Sequence, residues 1–406
     1  GTMPVGKLVL NMSLPMMISM LVQALYNIVD SVFVAMLSEN ALTAVSMAFP
    51  LQTLLIAVGA GTGVGMNALL SKSLGEKNFK KADRTASNAA FLYGLSYLVF
   101  LILGFTVVKP FYASQVHNAD PEILKFGIEY LSTVMIFSFG LLGQFFFERL
   151  LTSTGKTIFS MTSQLCGAGI CNHKFNHEVR LSFRGFRPDL KIIGHIYAVG
   201  IPSIIMQSIS SIMTYCMNLI LVQFTVTATA IFGVYFKLQS FFFMPVFGLN
   251  NGITPIIAYN YGARHRKRML KTVKVSMFIA FCFTFIGFLA FEFIPKTLLG
   301  LFSASEDMLT IGIPALRIIG IHYLIAWFCI IAGTVFQALG KAVFSMIVSI
   351  MRQLFVLVPA AYILASIGGL HAVWWSFPIA EIISLIVSVT FLVVINRTII
   401  QKIPEA

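Results

Sequence analysis

Residues 59–75, GAGTGVGMNALLSKSLG, return in altered form 187 positions later as residues 246–262, VFGLNNGITPIIAYNYG. The two stretches align without a gap and share three glycine pairs, Gly61 and Gly248, Gly65 and Gly252, and Gly75 and Gly262. The same offset also pairs Pro15 with Pro202, Phe49 with Phe236, Leu51 with Leu238, and Gln52 with Gln239. Self-similarity of this length indicates a tandem duplication, in which each half of the chain forms one structural repeat.

The composition and the apolar runs predict the fold class. Hydrophobic residues make up 58% of the 406 residues, charged residues make up 11%, and the mean hydropathy is +0.88. Soluble domains are only roughly 45–50% apolar. Runs of about 20 apolar residues, enough for a helix to cross about 30 Å of hydrocarbon, recur along the chain. We predict spans near residues 8–37, 44–70, 89–108, 126–151, 192–222, 228–259, 273–294, 309–339, 342–367 and 372–395, with a shorter apolar piece at 157–170. The chain is thus predicted to be an all-α polytopic membrane protein.

The net charge of +13 is distributed unevenly between the two sides of the predicted membrane domain. If alternate loops share a side, 22 of the 28 Lys and Arg residues fall on one side, and only Lys109, Lys125 and Lys296 fall opposite. Under the positive-inside rule, both termini are then cytoplasmic. Basic residues in these loops are expected to meet anionic lipid headgroups. We therefore expect the lipid bilayer, and no nucleic acid, as a partner.

The number of spans in the first half conflicts with the duplication. Repeats with their basic loops on the same side must each cross the membrane an even number of times, and the second half shows six spans. The first half shows four spans and the short piece at 157–170, followed directly by the basic stretch 174–191. About 39 residues of the second half have no counterpart between Ile170 and Cys171, enough for the rest of one helix and nearly a second.

We therefore predict a parent architecture of twelve spans in two parallel-repeat lobes of six helices each. Residues 1–187 form the N-terminal lobe, in which the remainder of span 5 and span 6 are missing. Residues 188–406 form the C-terminal lobe with spans 7–12. A natural deletion, an engineered deletion or residues left out of the determined sequence would each produce the junction at Ile170 and Cys171.

Several runs in the first half resemble one known family. They are ALYNIVD at residues 24–30, AFPLQ at 48–52, GAGTGVG at 59–65 and NALLS at 67–71. These runs resemble the multidrug and toxic compound extrusion family, and the resemblance covers nearly the entire chain. The resemblance implies two six-helix lobes around a central cavity, and a secondary active exporter that exchanges amphipathic, often cationic, small-molecule drugs for protons or sodium ions by alternating access. Relatives in the same superfamily move lipid-linked sugars, so the alternative is a flippase or exporter of a lipid-linked or anionic substrate.

Asp30 is the strongest candidate for ion coupling. It lies about seven residues from the outer end of the first span, hence roughly 10 Å deep at 1.5 Å per residue. A charged group near a helix centre costs about 2.5–3.5 kcal/mol on insertion scales, so Asp30 is expected to be protonated, paired or facing water. Gln23 and Asn27 share its helical face. The family resemblance implies that Asp30 takes part in cation or proton binding. A carboxylate that only fixes helix packing is the alternative.

Metals and cofactors are predicted only in the form of the coupling ion. A sodium ion at Asp30 is one possible form of the site, and a proton is the other. We expect no other metal and no cofactor. In the second lobe, Met217 takes the position of Asp30, so coupling through the first lobe is favoured.

Polar residues on the predicted helices are candidates for contacts with the substrate. A stripe on the first helix of the second half contains Gln207, Ser211, Thr214 and Asn218. The predicted cavity set is Tyr26, Gln52, Gln144, Gln207, Gln239 and Asn218.

Four charged residues lie within predicted spans of the second half, namely Glu381, Lys237, Arg317 and Arg352. Opposite charges in lipid tend to pair, so we predict a charge network in which Lys237 or Arg352 neutralises Glu381. Direct handling of substrate or protons is the alternative. Basic residues facing the cavity would disfavour cationic drugs and admit anionic groups.

Other classes of protein are disfavoured by missing motifs. The sequence has no His-Glu-x-x-His, no Gly-x-Ser-x-Gly and no paired intramembrane aspartates, so we predict that it is not an enzyme. The glycines at 59–65 have the four-residue spacing of close helix packing and lack the preceding strand of a nucleotide loop. His322 lies within a span, where a structural role and a proton relay are both open. We expect a monomer in the inner (cytoplasmic) membrane of a bacterium.

Overall fold

A computed structural model of the chain describes residues 3–37, 39–115, 121–166, 187–302 and 306–404. These residues form helices joined by short turns, and no strand occurs among them. In the first half, the helices are α1 (Val5–Leu37), α2 (Glu39–Gly75), α3 (Phe79–Thr106), α4 (Val108–Gln115), α5 (Pro121–Ile136), α6 (Ser138–Ser153) and α7 (Thr157–Cys166).

The helices of the second half repeat this pattern. They are α8 (Leu190–Leu221), α9 (Val226–Gly262), α10 (Arg266–Phe293), α11 (Pro295–Gly300), α12 (Glu306–Gly320), α13 (Tyr323–Ala338), α14 (Ala342–Ile350), α15 (Val358–Val373) and α16 (Ser376–Ile395). A π-helical segment, Met351–Leu357, joins α14 to α15, and another, Asn396–Ile400, follows α16.

The number of membrane-spanning helices agrees with the sequence. Within the described residues, eight helices are long and apolar enough to cross a membrane, and ten spans result if each of two bent pairs counts as one. The all-α polytopic fold is therefore confirmed. The predicted short piece becomes α7, which ends at Cys166, while the junction between Ile170 and Cys171 lies outside the described residues.

Two of the predicted spans are broken rather than continuous. α5 and α6 meet at 42°, and α12 and α13 meet at 49°. At both breaks, hydrogen bonds reach back three residues instead of four, from Gly140 N–H to Phe137 and from His322 N–H to Ile319. Such bonds tighten the last turn and interrupt the α-helical ladder. The breaks occupy matching places, so each lobe carries the same bent span.

The duplication is also visible in the backbone. Lys77 has φ 55° and Arg264, 187 residues later, has φ 61°, each in the turn that follows the second helix of its half. Gly155 and Gly340, 185 residues apart, have φ 81° and 75°. Left-handed backbone is uncommon for a residue with a side chain, so its recurrence at Lys77 and Arg264 reflects a repeated turn.

The two lobes meet along glycines of α2 and α9. We call this set of glycines the glycine seam, and it comprises Gly61, Gly65, Gly75, Gly248, Gly252 and Gly262. A Cβ atom on Gly61 would lie 2.9 Å from the carbonyl oxygen of Gly200 in α8. A Cβ atom on Gly248 would lie 2.6 Å from the backbone nitrogen of Met17 in α1. Both distances are too short for a side chain, so the helix backbones touch only because these positions are glycine.

The seam is symmetric. A Cβ on Gly75 would overlap the carbonyl oxygen of Tyr259, and a Cβ on Gly262 would overlap that of Lys72. Adding 187 to Gly75 gives Gly262, and adding it to Lys72 gives Tyr259. A contact that a glycine of the first lobe makes with the second lobe is therefore repeated by the equivalent glycine of the second lobe with the first. From Gly61 to Gly75 the seam follows α2 for about 21 Å toward its basic loop.

Candidate functional site

The second half contains a cavity of about 320 Å³ among α8, α9, α13, the π-helical segment and α16. This volume lies at the lower end of the range for small-molecule sites, about 300–1,000 Å³. Its polar lining includes Ser210, Gln239, His322, Arg352, Gln353 and Glu381, and its apolar lining includes Phe236, Phe243, Phe247 and Phe377.

An ion pair forms the polar wall of this cavity. Nη1 of Arg352 donates to Oε2 of Glu381 across 3.3 Å, and the side chains are 31% and 3% exposed. Within the described residues, the second carboxylate oxygen, Oε1, is buried and has no hydrogen-bond partner. Buried polar atoms in proteins are nearly always paired, so this unpaired carboxylate oxygen is a place where a proton could be accepted.

The local backbone places Arg352 at the cavity. Arg352 and Gln353 belong to the π-helical segment, which precedes Pro359. Proline has no N–H to donate to the carbonyl four residues earlier, that of Phe355, and its ring crowds that carbonyl. The α-helical ladder is therefore interrupted within this segment. π-helical turns are frequent at functional sites, and here the turn carries the only Arg or Lys among the described residues that line the cavity.

Aromatic rings surround His322 at the broken span. The ring of His322 stacks on Phe243 at 6.2 Å and meets Tyr323 edge-on at 4.7 Å. Its Nδ1 lies 2.6 Å from the carbonyl oxygen of Ile319. A carbonyl can only accept, so Nδ1 must carry the proton, which leaves Nε2 as the nitrogen able to accept one.

Of the predicted cavity residues on α8 and α9, only Gln239 lines the cavity. Gln207 is half-buried and its Nε2 reaches the carbonyl oxygen of Ser203 at 3.5 Å. Asn218 is exposed. The residues of α8 that do line the cavity are Ser210 and Met213, on a neighbouring face of the helix.

The predicted four-residue charge network is reduced to the pair Arg352 and Glu381. Arg317 instead donates from Nε to the carbonyl oxygen of Glu292 at 3.1 Å, and its side chain is 51% exposed. Lys237 is exposed, with Nζ 5.9 Å from the ring centre of Phe302. Residues two apart on a helix point to opposite faces, so the register that turns Gln239 toward the cavity turns Lys237 away.

The first-lobe candidates are only partly described. The side chains of Tyr26, Asn27 and Asp30 lie outside the described part of the structure, and Gln23 is exposed. Gln52 donates from Nε2 to the hydroxyl of Tyr130 at 2.8 Å, which links α2 to α5. Gln144 is half-buried on α6.

Two adjacent buried charged residues, Glu148 and Arg149, are not among the site residues that the sequence predicts. Arg149 lies two residues before the predicted end of its span, so from the sequence it is placed with the basic loops. In the structure Arg149 is buried, with 6% of its surface exposed. Its Nη1 donates to Oδ1 of Asn251 in α9 at 2.8 Å, so the bond crosses from one lobe to the other. Its stem packs on Gly63, where a Cβ would lie 2.8 Å from Cγ of Arg149. In the sequence, two adjacent charged residues inside an apolar run, Glu148 and Arg149, are the feature that indicates a buried charged site here.

Family comparison identifies the chain. A sequence model of the MatE family matches residues 15–177 and, a second time, residues 202–363. The matches begin at Pro15 and at Pro202, two residues that the 187-residue offset pairs. The chain belongs to the MatE family. With its apolar helices, this makes it an integral, multi-pass membrane protein.

Named relatives and solved structures cover nearly the whole MatE chain. The multidrug export protein MepA of Staphylococcus aureus strain MSSA476 is 24% identical over 417 residues, covering 93% of this chain and 91% of the relative. A MOP superfamily transporter from Pyrococcus furiosus superposes with a TM-score of 0.90 at 23% identity, covering 99% of this chain and 97% of that one. The MATE multidrug transporter DinF-BH, solved in complex with R6G, superposes with a TM-score of 0.87 at 26% identity, covering 97% of this chain and 96% of its own. The two-lobe fold is therefore confirmed.

The alignment with MepA bears on the predicted missing segment of this MatE protein. It extends over 417 positions but covers 93% of 406 residues, that is about 378. The difference of about 39 is the number of positions at which this chain has a gap. It equals the length that the internal repeat predicts, and the location of the segment stays a prediction.

Proposed function

We propose that this protein is a secondary active multidrug exporter, which exchanges small amphipathic molecules, often cations, for protons or sodium ions. The name of MepA and the complex of DinF-BH with R6G support the substrate class. The coupling ion is proposed to bind at Asp30 in α1, with Asn27 and Gln23 on the same helical face.

The observation that carries this proposal is the symmetric glycine seam. The two repeated lobes touch where α2 meets α9 at their basic ends, where α2 meets α8 and where α9 meets α1. Such a contact can open on one side and close on the other when rigid lobes rock against each other, as alternating access requires. With the basic side in the cytoplasm, as the positive-inside rule places it, a closed seam corresponds to an outward-facing state.

The cavity of the second lobe fits this function as a substrate subsite. Its rings supply an apolar surface for a planar molecule, and the Glu381 carboxylate in its wall supplies a negative charge that attracts a cationic group. Arg352 balances the charge of Glu381, so the pair adds no net charge to the cavity wall.

The alternative function is transport of a lipid-linked or anionic substrate. The exposed third of the Arg352 side chain favours it, because a guanidinium in a cavity wall can bind a carboxylate or a phosphate. In that case, anions would compete for the cavity and organic cations would not.

Transport of a fluorescent organic cation into proteoliposomes tests the proposal. We expect accumulation that depends on an imposed proton or sodium gradient and collapses when an ionophore dissipates it. Uptake that is indifferent to both gradients would reject ion-coupled antiport. Competition by an anionic lipid analogue, without competition by cations, would favour the alternative.

A further inference from the structure

A second cavity, of about 710 Å³, opens at the basic end of the glycine seam. It lies where the end of α2, the end of α9 and the C-terminal segment converge. Its lining includes Lys72, Glu76, Tyr261, Arg264, Thr398 and Lys402. Gly262 of the seam also lines it, so both lobes contribute to one cavity.

The cavity carries an excess of positive charge. Among the described residues of its lining, Lys72, Arg264 and Lys402 oppose a single carboxylate, that of Glu76. Glu76 is already shared, since its two oxygens lie 3.8 Å from Lys72 and 3.8 Å from Lys81. Within the described residues, Arg264 and Lys402 have no ion-pair partner.

The cations are held in place by structured segments rather than by long loops. Nζ of Lys72 lies 5.0 Å from the ring centre of Tyr261, a cation–π contact across the two lobes. Arg264 occupies the repeated left-handed turn, closed by hydrogen bonds from Ala263 and Arg264 N–H to Tyr259 and Tyr261. Lys402 follows the π-helical segment, whose end is fixed by a bond from Gln401 N–H to Asn396.

We propose that this cavity binds a phosphate group, supplied by the headgroup of an anionic phospholipid or by a soluble phosphate. The Arg264 guanidinium presents parallel N–H groups that match phosphate oxygens, and Lys402, on the C-terminal segment, adds a second charge to the same lining. The cavity lies at the end of two spans, at the level of lipid headgroups. A bound phosphate would bridge α9 to the C-terminal segment beside α2 and thereby hold the seam closed.

This site is separate from the proposed drug pathway, and its test does not require transport. The full chain in detergent is titrated with phosphatidylglycerol or phosphatidylcholine, and bound lipid is counted by native mass spectrometry. The test variant is Arg264→Gln with Lys402→Gln. The matched control is Lys80→Gln with Lys271→Gln, which removes two exposed charges from the same side but outside the cavity.

We expect phosphatidylglycerol to bind more tightly than phosphatidylcholine, and the test variant to lose about tenfold or more of that preference, because each basic residue near a headgroup contributes substantially to binding. The control is expected to keep the preference, and phosphatidylglycerol should raise the Tm of the parent and the control but not that of the test variant. Equal losses in both variants would overturn the proposal, and no preference in the parent would reject the lipid headgroup as the source of the phosphate.

Inorganic phosphate and glycerol phosphate separate the two sources. If the headgroup is the ligand, millimolar glycerol phosphate competes only weakly with phosphatidylglycerol. If soluble phosphate is the ligand, inorganic phosphate raises the Tm of the parent and not that of the test variant. The absence of any effect of either probe and of either lipid on the parent would reject a phosphate site.

Discussion

At the residue scale, the ion pair between Arg352 and Glu381 ties the chemistry of the second-lobe cavity to its stability. Glu381 is nearly fully buried, and only Arg352 offsets its charge within the described residues. A buried carboxylate left without its partner is more costly than a hydrophobic pair of similar size. The pair is therefore both the polar feature of the cavity and a constraint on which substitutions it tolerates.

Arg352→Met is expected to destabilise the protein by up to about 3 kcal/mol, because it leaves Glu381 buried and uncompensated. Thermal unfolding in detergent measures this. Arg352→Met with Glu381→Met should recover most of the loss. Arg317→Met, which removes an exposed pair with Glu292, is the control and should cost less than about 1 kcal/mol. Equal losses at Arg352 and Arg317 would show that the cavity pair is not buried in the working protein.

Asn251→Asp is expected to lock the lobes together. It would replace the hydrogen bond between the Arg149 guanidinium and a neutral amide with an ion pair at the lobe interface, which adds Coulomb attraction where water is largely excluded. We expect a higher Tm and slower transport. Arg149→Gln in the Asn251→Asp background should reverse both effects, as a double-mutant cycle would show. A faster transporter with Asn251→Asp would contradict this role for the Arg149 bond.

At the element scale, the glycine seam depends on backbones that touch. A Cβ at Gly65 would overlap the carbonyl oxygen of Ile196, and one at Gly252 would lie 2.6 Å from Cα of Ser13. A backbone obstacle cannot rotate away as a side chain can, so any larger residue must push α2 from α8 or α9 from α1.

Gly65→Ala is therefore expected to open the seam. Spin labels on exposed Lys80 and Lys271, one on each lobe, should move apart or show a broader distance distribution. Gly94→Ala is the control, since a Cβ there has open space, and it should stabilise α3 by about 0.5–1 kcal/mol without moving the labels. Unchanged distances with Gly65→Ala would mean that the seam does not set the contact between the lobes.

The elements themselves were largely predictable from the sequence. Apolar runs located the spans because the length of a membrane helix is fixed by the bilayer, and the 187-residue offset indicated two repeated lobes. The orientation of side chains within a span was not predictable, because both faces of a buried helix are apolar. Gln239 and Lys237 show this, as only the first faces the cavity.

Contacts between the lobes could not be predicted from the sequence either, for a related reason. Arg149 stood close enough to a predicted span end to be read as a loop residue, and its partner Asn251 is 102 positions away. The glycine pairs did indicate close packing, but the internal repeat could not show that each packs on the other lobe. The exchange of partners between copies became visible only in the assembled fold.

At the scale of the whole molecule, the described part of the first lobe has fewer spans than the second lobe. The second lobe has six spans, whereas the described part of the first has four and the ten-residue α7. We predict that the parent gene encodes about 39 further residues between Ile170 and Cys171, the number that the repeat and the MepA alignment both give. Sequencing that gene checks this. Codons for Ile170 and Cys171 standing next to each other in it would contradict the prediction.

Completing the first lobe should also raise transport. Span 6 would close the side of the lobe beside α7. It would also give the first lobe the even number of spans that places its basic loops on one side of the membrane. We expect the chain with the segment restored to transport faster than the 406-residue chain at equal amounts of folded protein, in the same proteoliposomes. Equal rates would show that the first lobe functions without span 6.

The most direct measurement of the central claim, ion-coupled export through the first lobe, compares the parent with Asp30→Asn in proteoliposomes under imposed proton and sodium gradients. Asp307→Asn, an exposed acid at the start of α12, is the matched control. We predict that gradient-driven uptake of a fluorescent organic cation is lost in Asp30→Asn and kept in Asp307→Asn. Undiminished gradient-driven uptake in Asp30→Asn would contradict the account.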